Sequence, residues 1–169
     1  MTALPAQDPN NHPPAMQGRI FQINISLGGV PKLAVQQAEV TSLGLVGDQQ
    51  RSLDVHGGPE RAICLYPLEN IAALQAEGHP VFPGAQGENL TLAGIEWSLC
   101  TPGRRLQIGS HVLLEISSYT QPCNNLRPYF TGQDYSRVAQ SKHPGWSRVY
   151  TRVLQGGIIR VSDPVFLLA

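Results

Sequence analysis

The chain has 169 residues, a formal net charge of zero, 14% charged residues and 41% hydrophobic ones. That length fits one domain with a sizeable core, and the neutral balance gives no electrostatic case for nucleic acid or an anionic membrane surface as a partner. Three cysteines at unrelated spacings argue against a disulfide framework, no CxxC pair announces structural zinc, and no apolar run reaches the roughly 18–20 residues of a spanning helix.

Residues 1–17 carry Pro5, Pro9, Pro13 and Pro14 and no apolar core segment. They read as a flexible tail rather than a signal peptide, with one folded domain over 18–169. A soluble protein of a reducing compartment is expected, most simply a bacterial-type cytoplasm. Beyond Gly18 short strands dominate. Ile20–Ile25 shows partial period-2 alternation. Ala34-Val35 and Ala38–Thr41 follow the turn Gly28-Gly29-Val30-Pro31. Arg61–Tyr66 is a compact apolar run. Pro67 opens a helix with Leu68, Ile71, Ala72 and Gln75 on one face and Gly78 as its stop. Asn89–Leu92 is a further strand. Arg105–Ile108 and His111–Ser117 flank a Gly109-Ser110 hairpin turn. Asp134 is placed to cap a second helix through Gln140. Val149–Leu154 and Ile158–Val161, separated by Gln155-Gly156-Gly157, read as a last hairpin. Many short strands with few helices predict a mainly β barrel or sandwich.

Four segments gather polar or special residues between these runs. In Ser26–Lys32 the glycines permit close backbone approach to a ligand and Lys32 is a mobile cation suited to phosphate; an ordinary turn with a solvated lysine is the competing reading. Gly44–Arg61 packs Asp48, Asp54, His56 and Arg61 among glycines. Arg61 can grip an anion bidentately and His56 can donate to a ligand or ligate a metal, or these charges pair among themselves. In Gly87-Glu88-Asn89, carboxylate and amide together suit a heterocycle with donor and acceptor edges, or cap their own turn. The fourth is Pro122-Cys123-Asn124-Asn125, where a thiol follows the apolar run Val112–Ile116. Cys64 and Cys100 lie inside apolar stretches and read as small core residues. Cys123 sits on an irregular loop, where scaffolds present chemistry, and Arg127 or Arg152 nearby would favour its thiolate.

In order, Ser26–Lys32, Gly44–Asp48, His56–Ala62, Gly87–Leu90, Pro122-Cys123, His143–Tyr150 and Arg152–Gly157 resemble the molybdenum cofactor sulfurase C-terminal (MOSC) domain, in its stand-alone bacterial form. Ser52-Leu53-Asp54 departs from a more polar stretch, and Ser162 stands where a glycine is common. The resemblance implies a MOSC-type β-barrel with a few peripheral α-helices and a molybdopterin-type molybdenum cofactor. It implies Cys123 as the metal's thiolate ligand or as a persulfide carrier. Lys32, Arg61 and Arg152 would face the pterin phosphate, while Asp48, His56, Glu88 and Asn89 would shape the pocket. The activity implied is a molybdenum-dependent reductase of N-hydroxylated small molecules, served by an electron-donor reductase. The alternative is a sulfur carrier using a Cys123 persulfide, with a sulfur donor protein as partner.

Overall fold

A computed structural model describes residues 16–49 and 57–168. Eleven strands occur among them, with one α-helix and several 3-10 turns. Seven strands close into a ring in the order β1 (Met16–Ile25), β6 (Leu90–Ala93), β5 (Ile63–Pro67), β9 (Val149–Gln155), β8 (Val112–Tyr119), β7 (Arg105–Ile108) and β11 (Pro164–Leu167). β11 returns to β1 through Met16↔Leu167 to Arg19↔Pro164, which closes the barrel and leaves neither strand with an open edge there. β2 (Leu33–Val35) adds to the far half of β1. β10 (Gly157–Arg160), β3 (Gln37–Thr41) and β4 (Gly44–Leu45) form a separate three-stranded sheet. The fold class expected from the short apolar runs is therefore the one observed.

The barrel is filled by one parity of each strand. Ile63, Leu65, Leu90, Leu92, Leu114 and Val149 are all essentially inaccessible, and burial of each such side chain contributes about 1.5–3 kcal/mol. The partial alternation of β1 has a structural cause. Its pairing with β6 shifts between Ile20 and Gln22, a bulge that puts Ile20 and Ile23 both inside and turns Phe21 outward. The β10–β11 turn fills this irregularity, because Ile20 donates its N–H to Asp163 O at 2.9 Å and accepts from Ser162 N–H at 2.9 Å.

Three local expectations are corrected. Val149–Leu154 and Ile158–Val161 do not pair with each other: β9 joins β8 and β5, whereas β10 pairs with β3. Gly156 lets the chain change sheets, since a Cβ there would lie 2.4 Å from Val40 O. The Asp134 cap exists, with its carboxylate accepting from Ser136 N–H at 3.0 Å, but it starts only the 3-10 turn Tyr135–Val138. The helix α1 (Leu68–Ala76) buries Ile71 and Leu74, not Ala72 and Gln75. It ends as expected at Gly78, whose N–H bonds Gln75 O while His79 N–H bonds Leu74 O.

The long connection from β8 to β9 carries 3-10 turns and packs on the outside of the barrel. Arg137 anchors it, bonding Glu77 at 2.9 and 2.7 Å and stacking its guanidinium 3.6 Å over the Trp146 ring. No helix among the described residues is long and apolar enough to cross a membrane.

Candidate functional site

Alternation along β5 decides where chemistry can lie. Ile63 and Leu65 point into the barrel, so Cys64 points the other way. Its partner across the ladder is Tyr150 of β9. These two side chains floor a cleft on the outer face of the sheet, enclosing about 630 Å³ counting the part open to solvent. Its walls are the β1–β2 loop with Gly29, Val30 and Lys32, the loop before β6 with Gln86, Gly87 and Asn89, and the connection after β8 with Cys123, Asn125 and Leu126. A neighbouring hollow shares Gly29, Val30 and Asn125 and reaches Tyr129.

The first two walls are clasped together. Lys32 donates its backbone N–H to Gly84 O at 2.9 Å. Gly84 has φ +90, and a Cβ there would sit 2.3 Å from Lys32 O. Beneath this clasp lies a saturated polar knot. The Asp48 carboxylate accepts from Lys32 Nζ at 2.6 and 2.7 Å, from Ser26 N–H at 2.8 Å and from Asn89 Nδ2 at 2.8 Å. Asn89 in turn accepts the N–H of Cys64 at 3.0 Å. Asp48 and Lys32 side chains are only 4% and 9% exposed, so the pair is a buried salt bridge with its hydrogen bonds filled.

Against the loop before β6 lies Arg148, a residue not singled out in the sequence, 7% exposed and lining the cleft. It donates from Nη1 to the backbone oxygen of Gln86, and its Nε has no hydrogen-bond partner among the described residues. The Gln86 side chain, also in the lining, has neither its Nε2 nor its Oε1 bonded. Glu88 is fully buried. Its Oε1 accepts from Gly84 N–H at 2.6 Å and from Thr91 Oγ1 at 3.2 Å. Burial pushes its carboxyl above the usual range, against the opposing pull of backbone N–H groups and Arg148. Burial likewise raises the Cys64 thiol to about 11 and, with Cys64 nearby, the Tyr150 hydroxyl to about 12.

Cys123 is a free, half-buried cysteine on extended backbone, immediately before the turn Asn124–Tyr129. The structure therefore gathers Cys123, Lys32 and Asn89 on the cleft, with Asp48 and Glu88 directly behind its walls. Two expected residues lie elsewhere. Arg152 pairs with Glu60 at 3.1 Å and with Glu115. Together with Arg105 it holds Glu115 below the usual carboxylate range, and it is not among the lining residues. Arg61 rests 5.9 Å from the Tyr150 ring centroid and is also outside the lining. His56 lies outside the described residues. Cys100 is a core residue as expected, but Cys64, although buried, belongs to the cleft rather than to the barrel interior.

A closed barrel packed solid inside, with its reactive groups in a cleft on the outer wall, defines a small β-barrel domain of external-site type. The chain belongs to the MOSC domain family, whose model matches residues 52–166 and which is associated with the molybdenum cofactor. It is 34% identical over 135 residues to protein YiiM of Escherichia coli, covering 77% of this chain and 58% of YiiM. It is 32% identical over 133 residues to a reductase of Gibberella moniliformis, covering 76% of this chain and 23% of the reductase. The crystal structure of YiiM from Geobacillus stearothermophilus superposes with a TM-score of 0.72 at 28% identity, over 90% of this chain and 75% of that one. The chain thus spans little more than half the length of the curated YiiM and less than a quarter of the reductase.

Proposed function

We propose that this domain holds a molybdopterin-type molybdenum cofactor, with Cys123 as thiolate ligand, and serves in the reduction of N-hydroxylated compounds. One observation carries the reading: a free thiol shares a cleft with a buried guanidinium whose Nε is unpartnered. The residues fit such a group. Among the described residues no three His, Cys, Asp or Glu side chains cluster as a metal cage, so one thiolate would complete a metal that brings ligands of its own. Arg148 supplies a permanently charged fork for an anionic group.

When bound, the cofactor supplies two-electron redox chemistry at the metal. The chain's own residues bind and orient. Cys123 releases its proton on ligation. The Tyr150 hydroxyl, raised to about 12 by burial, keeps its proton at neutral pH. Arg148, itself only 7% exposed, would set a positive charge against an anionic part of the cofactor. The balanced reaction is R–NH–OH plus two electrons and two protons giving R–NH2 and water. An electron donor outside this domain supplies the electrons, since no flavin, haem or iron–sulfur motif occurs within these residues.

Protein purified from a host that makes the cofactor should carry molybdenum near one per chain and reduce an N-hydroxylated base when given a reductase. Cys123→Ala should lose both the metal and the activity. Metal-free protein from such a host, or full activity in Cys123→Ala, overturns the reading. The accessible thiol equally suits a sulfur carrier. A labile gain of one sulfur atom on Cys123 in the untreated protein, without molybdenum, would favour that second reading.

A further inference from the structure

We infer that the hollow beside Cys123 seats the flat, uncharged aromatic body of the substrate, with Tyr129 as the residue that selects for a ring. The hollow encloses about 610 Å³, counting the part open to solvent. That size suits a small molecule, since such sites span about 300–1,000 Å³. Its lining comes from two loops, residues 28–30 on one side and Asn124, Asn125, Pro128 and Tyr129 on the other. It joins the cleft at Gly29, Val30 and Asn125, and Asn125 follows Cys123 by two residues. A molecule whose reacting end lies at the thiol therefore has this hollow for its remainder. The inference takes from the functional reading only that placement of the reacting end.

The chemistry of the lining narrows what the remainder is. Among the described residues no Lys, Arg, His, Asp or Glu lines the hollow. Desolvation raises the Tyr129 phenol above its ordinary value, so it too stays uncharged at neutral pH. A carboxylate or phosphate entering here would lose water and meet no counter-charge. Tyr129 is held in place from a third loop, because the Phe82 ring stands edge to face with it, centroids 5.6 Å apart and planes at 85°. Asn124 spends its Oδ1 on the Tyr135 hydroxyl at 2.6 Å. The other loop contributes bare backbone. Gly28 and Gly29 have φ +116 and +86, and the Ser26 hydroxyl pins their turn, accepting from Gly28 N–H at 3.3 Å and donating to Gly29 O at 3.1 Å. A space bounded by glycine backbone and an aromatic ring takes a flat ring with full contact, and the ring pair adds to the area buried.

The test uses the full chain free of cofactor, so it does not depend on turnover. Benzamidoxime, acetamidoxime and 4-carboxybenzamidoxime are titrated by calorimetry and ligand-observed NMR. Benzamidoxime should bind at least about tenfold more tightly than either of the others. Tyr129→Ala should erase most of its advantage over acetamidoxime, and Tyr129→Phe should keep it. Photolysis of bound 4-azidobenzamidoxime should label peptides carrying residues 28–30 or 124–129, a readout that needs no variant to fold. Equal binding of benzamidoxime and acetamidoxime by the wild type overturns the inference. So does tighter binding of the carboxylate compound, an unchanged ring preference in folded Tyr129→Ala, or labelling confined to other peptides. Wild-type protein that shows the ring preference but carries no molybdenum sinks the functional reading and leaves the aromatic seat standing. Molybdenum-loaded, active protein without the ring preference sinks this inference alone.

Discussion

Two of the anticipated cations meet opposite fates at the level of single residues. Lys32 reaches the cleft but spends its charge on Asp48. Its role is to hold the β1–β2 loop against β4's exit. Removing its partner should leave a buried ammonium uncompensated, so Asp48→Ala should destabilise the fold by about 3–5 kcal/mol in denaturant titrations. Lys32→Met should cost less, because the aspartate keeps the Ser26 and Asn89 donors. Arg152 of β9 has the outward parity of Arg148, which directly precedes the strand, but lies four residues on, or about 13 Å along the chain. It falls among Glu60 and Glu115 instead of in the cleft. Residue type and parity were legible in the sequence at positions 148, 150 and 152. What separates Arg148 from Arg152 is how far the cleft extends, a tertiary fact with no local signature.

Glu88 gives the residue scale a pH signature. Burial raises its folded value above the ordinary 4.5. The folded state therefore holds a proton at pH values where the unfolded chain has released it. That contribution to stability is complete below the unfolded value and is lost as pH rises through the raised folded value. Glu77 and Glu115 have the opposite sign, being held low chiefly by Arg137 and Arg152, so their support is lost on acidification. Stability measured from about pH 4.5 upward should decline less steeply in Glu88→Gln than in the wild type. An unchanged slope would remove Glu88 from this role.

Elements were read well where the local pattern is complete and poorly where a partner decides. The helix stop at Gly78 followed from glycine's access to positive φ, and Gly78 has φ +91. The hairpin across Gly109-Ser110 pairs β7 with β8 as expected. The apolar segments after Val149 gave no hint of separate sheets, because two strands with a glycine turn carry the same pattern whether they pair together or apart. Gly78 and Gly84 supply a controlled comparison of strain with strain plus collision. A Cβ at Gly78 meets open space, whereas at Gly84 it meets Lys32 O at 2.3 Å. Gly78→Ala should cost about 1–2 kcal/mol from its backbone conformation alone. Gly84→Ala should cost clearly more and should also weaken ligand binding, as read by thermal melts and titration on the same samples.

At the scale of the whole molecule, the mainly β class was legible from the density of short strands, which left barrel and sandwich open, and closure of the ring was not legible there. Pro164–Leu167 is four residues long and looks like a fraying end, yet it pairs with both β7 and β1. Deleting 164–168 should open two strand edges at once. The expected outcome is a broadened, less cooperative melt with aggregation in light scattering, and a sharp wild-type-like transition would show the ring to be dispensable. The placement of the site was half legible. The segments that build it were picked out in order, but within the loop before β6 the sequence pointed to Glu88 and Asn89. Both bond the scaffold through their side chains, Asn89 from the cleft lining and Glu88 from behind it.

The bond from the Lys32 amide to Gly84 O has a consequence for traffic. It is the main-chain rivet between two loops that overhang the cleft, and neither loop belongs to the cylinder behind them. A bulky guest can enter or leave by springing this rivet while the cylinder stays shut. Deuterium uptake at the Lys32 amide should then outpace that of the neighbouring strand amides in the empty protein, and slow once a guest is seated.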